Sequence, residues 1–121
     1  MALIKFITLA SGETGDYWKI TKVDDDVESG STAILTLYKS KTLRMAKAQP
    51  MRMPLYFQFT NAEIEAIVPD ENLPNGWRDI WYHCHYLAIK AAAASGHGKP
   101  VEEMTQNEST AQVIYGNQDD L

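Results

Sequence analysis

Apolar and polar residues alternate with a period of two through the first half of the chain, then change to helical spacing in the second. Leu3 to Leu9 alternates and meets the glycine-rich stretch Ser11-Gly12-Glu13-Thr14-Gly15, which predicts a strand and a turn. A second strand over Asp16 to Val23 sets Trp18, Ile20 and Lys22 on one face and Tyr17, Lys19, Thr21 and Val23 on the other. Trp18 and Ile20 are the stronger core pair. Asp24-Asp25-Asp26, continued by Glu28-Ser29-Gly30-Ser31, predicts a solvent-facing break. The third strand, Thr32 to Ser40, has its cleaner core face at Ala33, Leu35 and Leu37. A short turn or helix over Thr42 to Ala48 follows. Pro50 and Pro54 bracket Met51-Arg52-Met53, and Pro54 biases Met53 toward extended backbone. Leu55, Phe57 and Phe59 alternate with Tyr56 and Gln58 as a fourth strand.

Beyond residue 60 the spacing becomes helical. Asn61 is placed to cap a short helix from Ala62, with Ile64, Ile67 and Val68 on its apolar side and Pro69 at its end. The longest helix is predicted over Arg78 to Ala94, between Asn75-Gly76 and Ser95-Gly96-His97-Gly98-Lys99-Pro100. Trp77, Ile80, Trp81, Cys84, Leu87, Ala88 and Ala91 form its apolar stripe. After Pro100 the chain turns polar, and only Ala111-Gln112-Val113-Ile114-Tyr115 regains strand character. The fold class is therefore mainly β or α+β: a small antiparallel β-barrel or β-sandwich carrying one short and one long helix. Residues 1–100 form one strand-rich domain; residues 101–121 form a polar extension, either an assembly arm or an added strand.

The 121 residues, 45% hydrophobic, suffice for one core. Cys84 is the sole cysteine, which excludes an intramolecular disulfide and a four-cysteine zinc site. The alternating start reads as a strand rather than a signal peptide, and no apolar run approaches the roughly 20 residues that span a bilayer. Cytoplasmic synthesis is the expectation. The net charge of −5 is unevenly spread: residues 1–56 carry eight basic and six acidic residues, residues 57–121 three basic and ten acidic. Lys39, Lys41, Arg44, Lys47 and Arg52 follow one another with no acidic residue between them. They form either a solvated loop or a basic patch that meets an acidic surface on a neighbouring copy or another partner. The overall charge disfavours nucleic acid.

Candidate chemistry is sparse. His83-Cys84-His85, with His97 downstream, has the residue types of a metal site but not its geometry. Adjacent helical positions point about 100° apart, and residues two apart do not share a face. A buried Cys84 beside two partly exposed histidines is the expected arrangement, and a Cys84 nucleophile lacks an oriented base. Asp24-Asp25-Asp26 lacks the spacing of a calcium loop. Gly12 and Gly15 lack that of a phosphate-binding loop, and the adjacent Glu102-Glu103 cannot flank a cleft. No catalytic, cofactor-binding or metal residue is assigned, and no enzyme activity or cofactor is expected. The three tryptophans and six tyrosines are more informative. Tyr82, His85, Tyr86 and Ile89 are offset from the Trp81–Cys84 stripe, and either wrap a sheet edge or form a subunit interface.

Three stretches carry a family resemblance. They are Ile4-Lys5-Phe6-Ile7-Thr8-Leu9-Ala10-Ser11-Gly12 leading to Tyr17-Trp18-Lys19-Ile20; Leu35-Thr36-Leu37-Tyr38-Lys39-Ser40-Lys41 followed by Arg44 and Ala48-Gln49-Pro50; and Trp81-Tyr82-His83-Cys84-His85-Tyr86-Leu87-Ala88-Ile89-Lys90. Taken together, the chain resembles short virion proteins of tailed bacteriophages, particularly small tail or baseplate components; residues 96–121 depart from that pattern. The resemblance implies a structural protein of the virion, synthesised in the host cytoplasm. It would pack in symmetric rings with other copies of itself and other virion proteins, with no cofactor, turnover or membrane. The interface residues expected under this reading are Lys39, Lys41, Arg44, Lys47, Arg52, Tyr82, Tyr86, Val113, Ile114 and Tyr115, with the segment after Pro100 ordering on assembly. Two alternatives stand beside it: a cytoplasmic binding module that uses residues 39–52 to hold a peptide or nucleic acid, and a Cys84-dependent enzyme.

Overall fold

In the computed structural model, which describes residues 2–26, 28, 30–51, 54–68 and 77–120, the alternating first half folds as an antiparallel meander. β1 (Ala2–Thr8) pairs with β2 (Thr14–Asp26), β2 with β3 (Gly30–Tyr38), and β3 with β4 (Leu55–Phe59). A short β5 (Gln118–Asp120) returns to the free edge of β1, giving the order β4-β3-β2-β1-β5. The sheet is open. Its two edge strands, β4 and β5, do not meet, so of the barrel and the sandwich expected from sequence the closed barrel does not form. A helix supplies the second layer instead, and the class is α+β.

Two bulges decide which residues face the core. One lies in β1 between Ile4 and Ile7, the other in β2 between Ile20 and Lys22. A bulge spoils the ladder locally and leaves backbone groups to be satisfied elsewhere. Aromatic side chains do that here. Trp18 Nε1 donates to the Lys5 carbonyl at 3.1 Å, and the Ile20 amide donates to the Tyr86 hydroxyl at 2.7 Å. The second bulge also inserts one residue, Thr21, and so reverses the faces beyond it. Val23, expected opposite Trp18 and Ile20, packs against the same core as they do. The break expected at Asp24–Asp26 is likewise strand: these exposed residues pair with Thr32, Ser31 and Gly30. Gly30 (φ +94°) begins β3 where a side chain would strike the Phe59 carbonyl.

Ala33, Leu35 and Leu37 are buried as expected, and β4 alternates with Leu55, Phe57 and Phe59 inward. α1 (Lys41–Met45) is capped by Ser40, whose hydroxyl accepts from the Leu43 amide. It ends with the Lys47 amide donating to Arg44 O and the Ala48 amide to Leu43 O, both at 3.0 Å, and Lys47 is left-handed at φ +60°. The cap of α2 (Asn61–Glu65) is Thr60 rather than Asn61, because Thr60 and Glu63 form a reciprocal capping box.

α3 (Trp77–Gly96) lies across the sheet with its face rotated from the expected stripe. His85, Tyr86, Ile89 and Ala93 are buried with Cys84 and Ala88, whereas Ile80 and Ala91 are exposed. The reason is amphipathic: the rings of Tyr86 and His85 go inside because their polar atoms find partners there. Trp77, also placed in that stripe, has no described side chain. The strand expected at Ala111–Tyr115 is helical. Thr105 and Glu108 form a second capping box that starts α4 (Gln106–Ala111), and a 3-10 turn continues over Gln112–Ile114. Glu108, Ala111 and Ile114 recur at helical spacing and are all buried.

Candidate functional site

The densest polar chemistry lies inside. Ser31 Oγ is 2.7 Å from His85 Nε2, and His85 Nδ1 is 2.8 Å from the Trp81 carbonyl. A carbonyl only accepts, so Nδ1 carries the proton and Nε2 accepts from the Ser31 hydroxyl. The Trp81 indole in turn donates to Asp25 Oδ1 at 3.2 Å, and its ring meets His85 edge-on. A serine beside an oriented histidine has the geometry of an activated nucleophile. Ser31, however, is 1% exposed and His85 0%. The network pins α3 to the β2–β3 hairpin. Sequence reading missed this pair because nothing marks Ser31 as core-facing until the β2 bulge and the rotation of α3 are known.

The two histidines beside Cys84, expected from sequence to be partly exposed, are not. His83 and His85 are both buried, because α3 turns the whole His83–Tyr86 stretch toward the protein. Desolvation lowers the His85 pKa and raises that of the Cys84 thiol, favouring the neutral form of each. Among the described residues, no three His, Cys, Asp or Glu side chains are grouped to hold a metal ion.

The expected interface residues do not gather on one surface. Lys41, Arg44 and Lys47 sit on α1 and its terminal turn, behind the sheet. Arg44 lies over the Tyr38 ring, with Cζ 5.3 Å from the centroid, and Tyr38 packs with Tyr17, Ala2 and Ile4. Lys39 and Val113 line a groove of about 1390 Å³ with Ile7, Leu9 and Met51. Gly15 permits this arrangement: a Cβ there would fall 2.6 Å from Met51 Sδ. Tyr86 and Ile114 belong to the core, and Tyr82 is half-buried against it. Tyr115 stacks on His97 with centroids 3.7 Å apart. Arg52 lies outside the described residues.

The sheet edges are managed by side chains from the C-terminal part. Asn107 accepts from the Gln58 amide at 3.2 Å and donates to its carbonyl at 2.7 Å, covering β4 with a backbone-like pair. Lys90 pairs with Asp119 at 2.7 Å and ties β5 to α3. Buried Glu108 accepts from the Thr105 amide at 2.9 Å, from Ser95 at 2.7 Å and from Lys99 at 2.9 Å, and these bonds, the Thr105 amide foremost, hold its pKa down to about 2. Outside these contacts, Val101, Glu102 and Glu103 stand exposed, and Tyr56 is 58% exposed on the back of the sheet.

Among the described residues, no helix is long and apolar enough to cross a membrane. No family model, curated protein or solved structure matches the chain.

Proposed function

We propose that this chain is a structural subunit of a tailed-bacteriophage virion, in the tail or baseplate, and that it acts by assembling with copies of itself and with other virion proteins. The carrying observation is the distribution of apolar side chains. Large ones remain exposed on the back of the sheet and the short elements around it: Phe6 on β1, Leu43 and Met45 on α1, and Tyr56 on β4. Isolated exposed apolar residues are ordinary, but two on a five-residue helix flanked by lysines form a patch suited to a partner. The resemblance of residues 4–20, 35–50 and 81–90 to small tail and baseplate proteins supplies the class of assembly.

The test is fractionation of intact tailed particles from cells producing this chain. Under this reading the chain sediments with particles at a fixed stoichiometry and survives a salt wash. Its recovery only in the soluble fraction would overturn the reading. The basic-module alternative gains from the exposure of Lys39, Lys41 and Lys47. It would instead give duplex DNA binding that weakens steeply with salt.

A further inference from the structure

We propose that two small, oppositely charged surfaces of this chain dock on each other between neighbouring copies and join subunits head to tail. The inference rests on the assembly reading above and names the contact and its partner, a second copy of the same chain. The first surface is α1 with its terminal turn. Met45 is 69% exposed and Leu43 is exposed beside it, with exposed Lys41 and Lys47 around them. No acidic residue occurs from Lys39 to Arg52, so every charge that this segment itself contributes is positive. Lys47 strengthens the case. It occupies the left-handed position that follows the helix, where glycine fits best and a residue with a Cβ is disfavoured. A charge is therefore held where the backbone disfavours it.

The second surface is the 3-10 turn Val101–Glu103. Val101 is 75% exposed, with exposed Glu102 and Glu103 after it. No lysine or arginine occurs from Val101 to Leu121. The nearest preceding cation, Lys99, is engaged by Glu108 at 2.9 Å. Each surface thus has an apolar centre with charge of one sign beside it, and the two signs are opposite.

Their positions make the contact directional. α1 lies behind the sheet with Arg44 on Tyr38, whereas the Val101–Glu103 turn belongs to the helical layer, between α3 and α4. One chain therefore offers both surfaces at once, to two different neighbours. A two-fold dimer through either surface alone would set like charges together. A head-to-tail contact sets lysines against glutamates, and closes into a ring or extends as a filament according to the rotation per subunit. Contacts this small hold weakly and feel salt, so they act through repetition in an assembly.

Sedimentation velocity of the full purified chain tests this directly. At low salt and high protein concentration the chain forms oligomers that dissociate as salt is raised. The double variants K41E/K47E and E102K/E103K each weaken association at least tenfold while keeping the parent circular dichroism spectrum. Mixing these two variants restores association, because each now presents the surface that the other lacks. Met45→Ser weakens it with no change in net charge. A chain that stays monomeric at all salts, or oligomers indifferent to both double variants, would overturn the head-to-tail contact. So would a mixture that fails to recover. If such a chain still sediments with intact particles, the contact fails and the assembly reading stands; absence from particles would defeat the latter by itself.

Discussion

Tyr86 fills the core with its ring and closes a backbone defect with its hydroxyl. The Ile20 amide beside the β2 bulge donates to that oxygen, and the position is almost fully buried. Burial pushes the phenol well above its ordinary range, so it stays neutral and keeps its lone pairs for the amide. Tyr86→Phe leaves that amide unpaired and is expected to cost about 1–3 kcal/mol in urea denaturation. His85 makes a different prediction. Its folded pKa is depressed, so the unfolded chain binds the proton more readily and stability is complete above the unfolded value near 6.5. As pH falls below 6.5, stability declines until the folded pKa is passed. His85→Gln is expected to flatten that decline while lowering stability at neutral pH, as read from urea midpoints across pH. Glu108, also depressed, acts in a lower window, losing its contribution as pH falls from about 4.5 toward 2. Lys47→Gly relieves the left-handed position and is expected to raise stability by about 0.5–1 kcal/mol, provided the turn keeps its geometry.

At the scale of elements, Asn107 replaces a neighbouring strand along part of β4. Asn107→Ala removes both hydrogen bonds to Gln58 and is expected to cost about 1–2 kcal/mol. Hydrogen exchange at the Gln58 amide is the direct reading: it should accelerate in the variant while amides at the centre of β3 keep their protection. The strands themselves are legible in the sequence because Leu55, Phe57 and Phe59 alternate with Tyr56 and Gln58, and Ala33, Leu35 and Leu37 recur at every second position. Val23 is not, since a single inserted residue at Thr21 reverses every face beyond it. The buried side of α3 escapes for another reason. A pattern that counts histidine and tyrosine as polar turns the helix toward Trp81, Cys84 and Ala91, while the packed helix turns His85 and Tyr86 inward. The same blindness hides the Ser31–His85 pair. The helical character of 106–114 is visible afterwards in Thr105 and Glu108, whose spacing is that of a capping box; the apolar run Val113-Ile114-Tyr115 distracts from it.

At the scale of the molecule, the C-terminal part is built into the domain. Ala111 and Ile114 are fully buried with α3 and the sheet, and β5 pairs with β1. Deleting residues 101–121 would expose that side of the core, uncover the β4 edge and remove the strand beside β1. Loss of cooperative urea unfolding is expected; a truncated chain with the parent midpoint would contradict this packing. What the folded chain leaves outside includes Leu43 and Met45 on α1, with Lys41 and Lys47 beside them, and Val101 with Glu102 and Glu103 beyond α3. In the proposed assembly these surfaces meet between subunits. Imaging of the native tailed particle tests it most directly. Repeated copies of this α+β fold are expected around the tail or baseplate, with α1 of one subunit facing the Val101–Glu103 turn of the next. Well-resolved particles in which no copy of this fold occurs would contradict it.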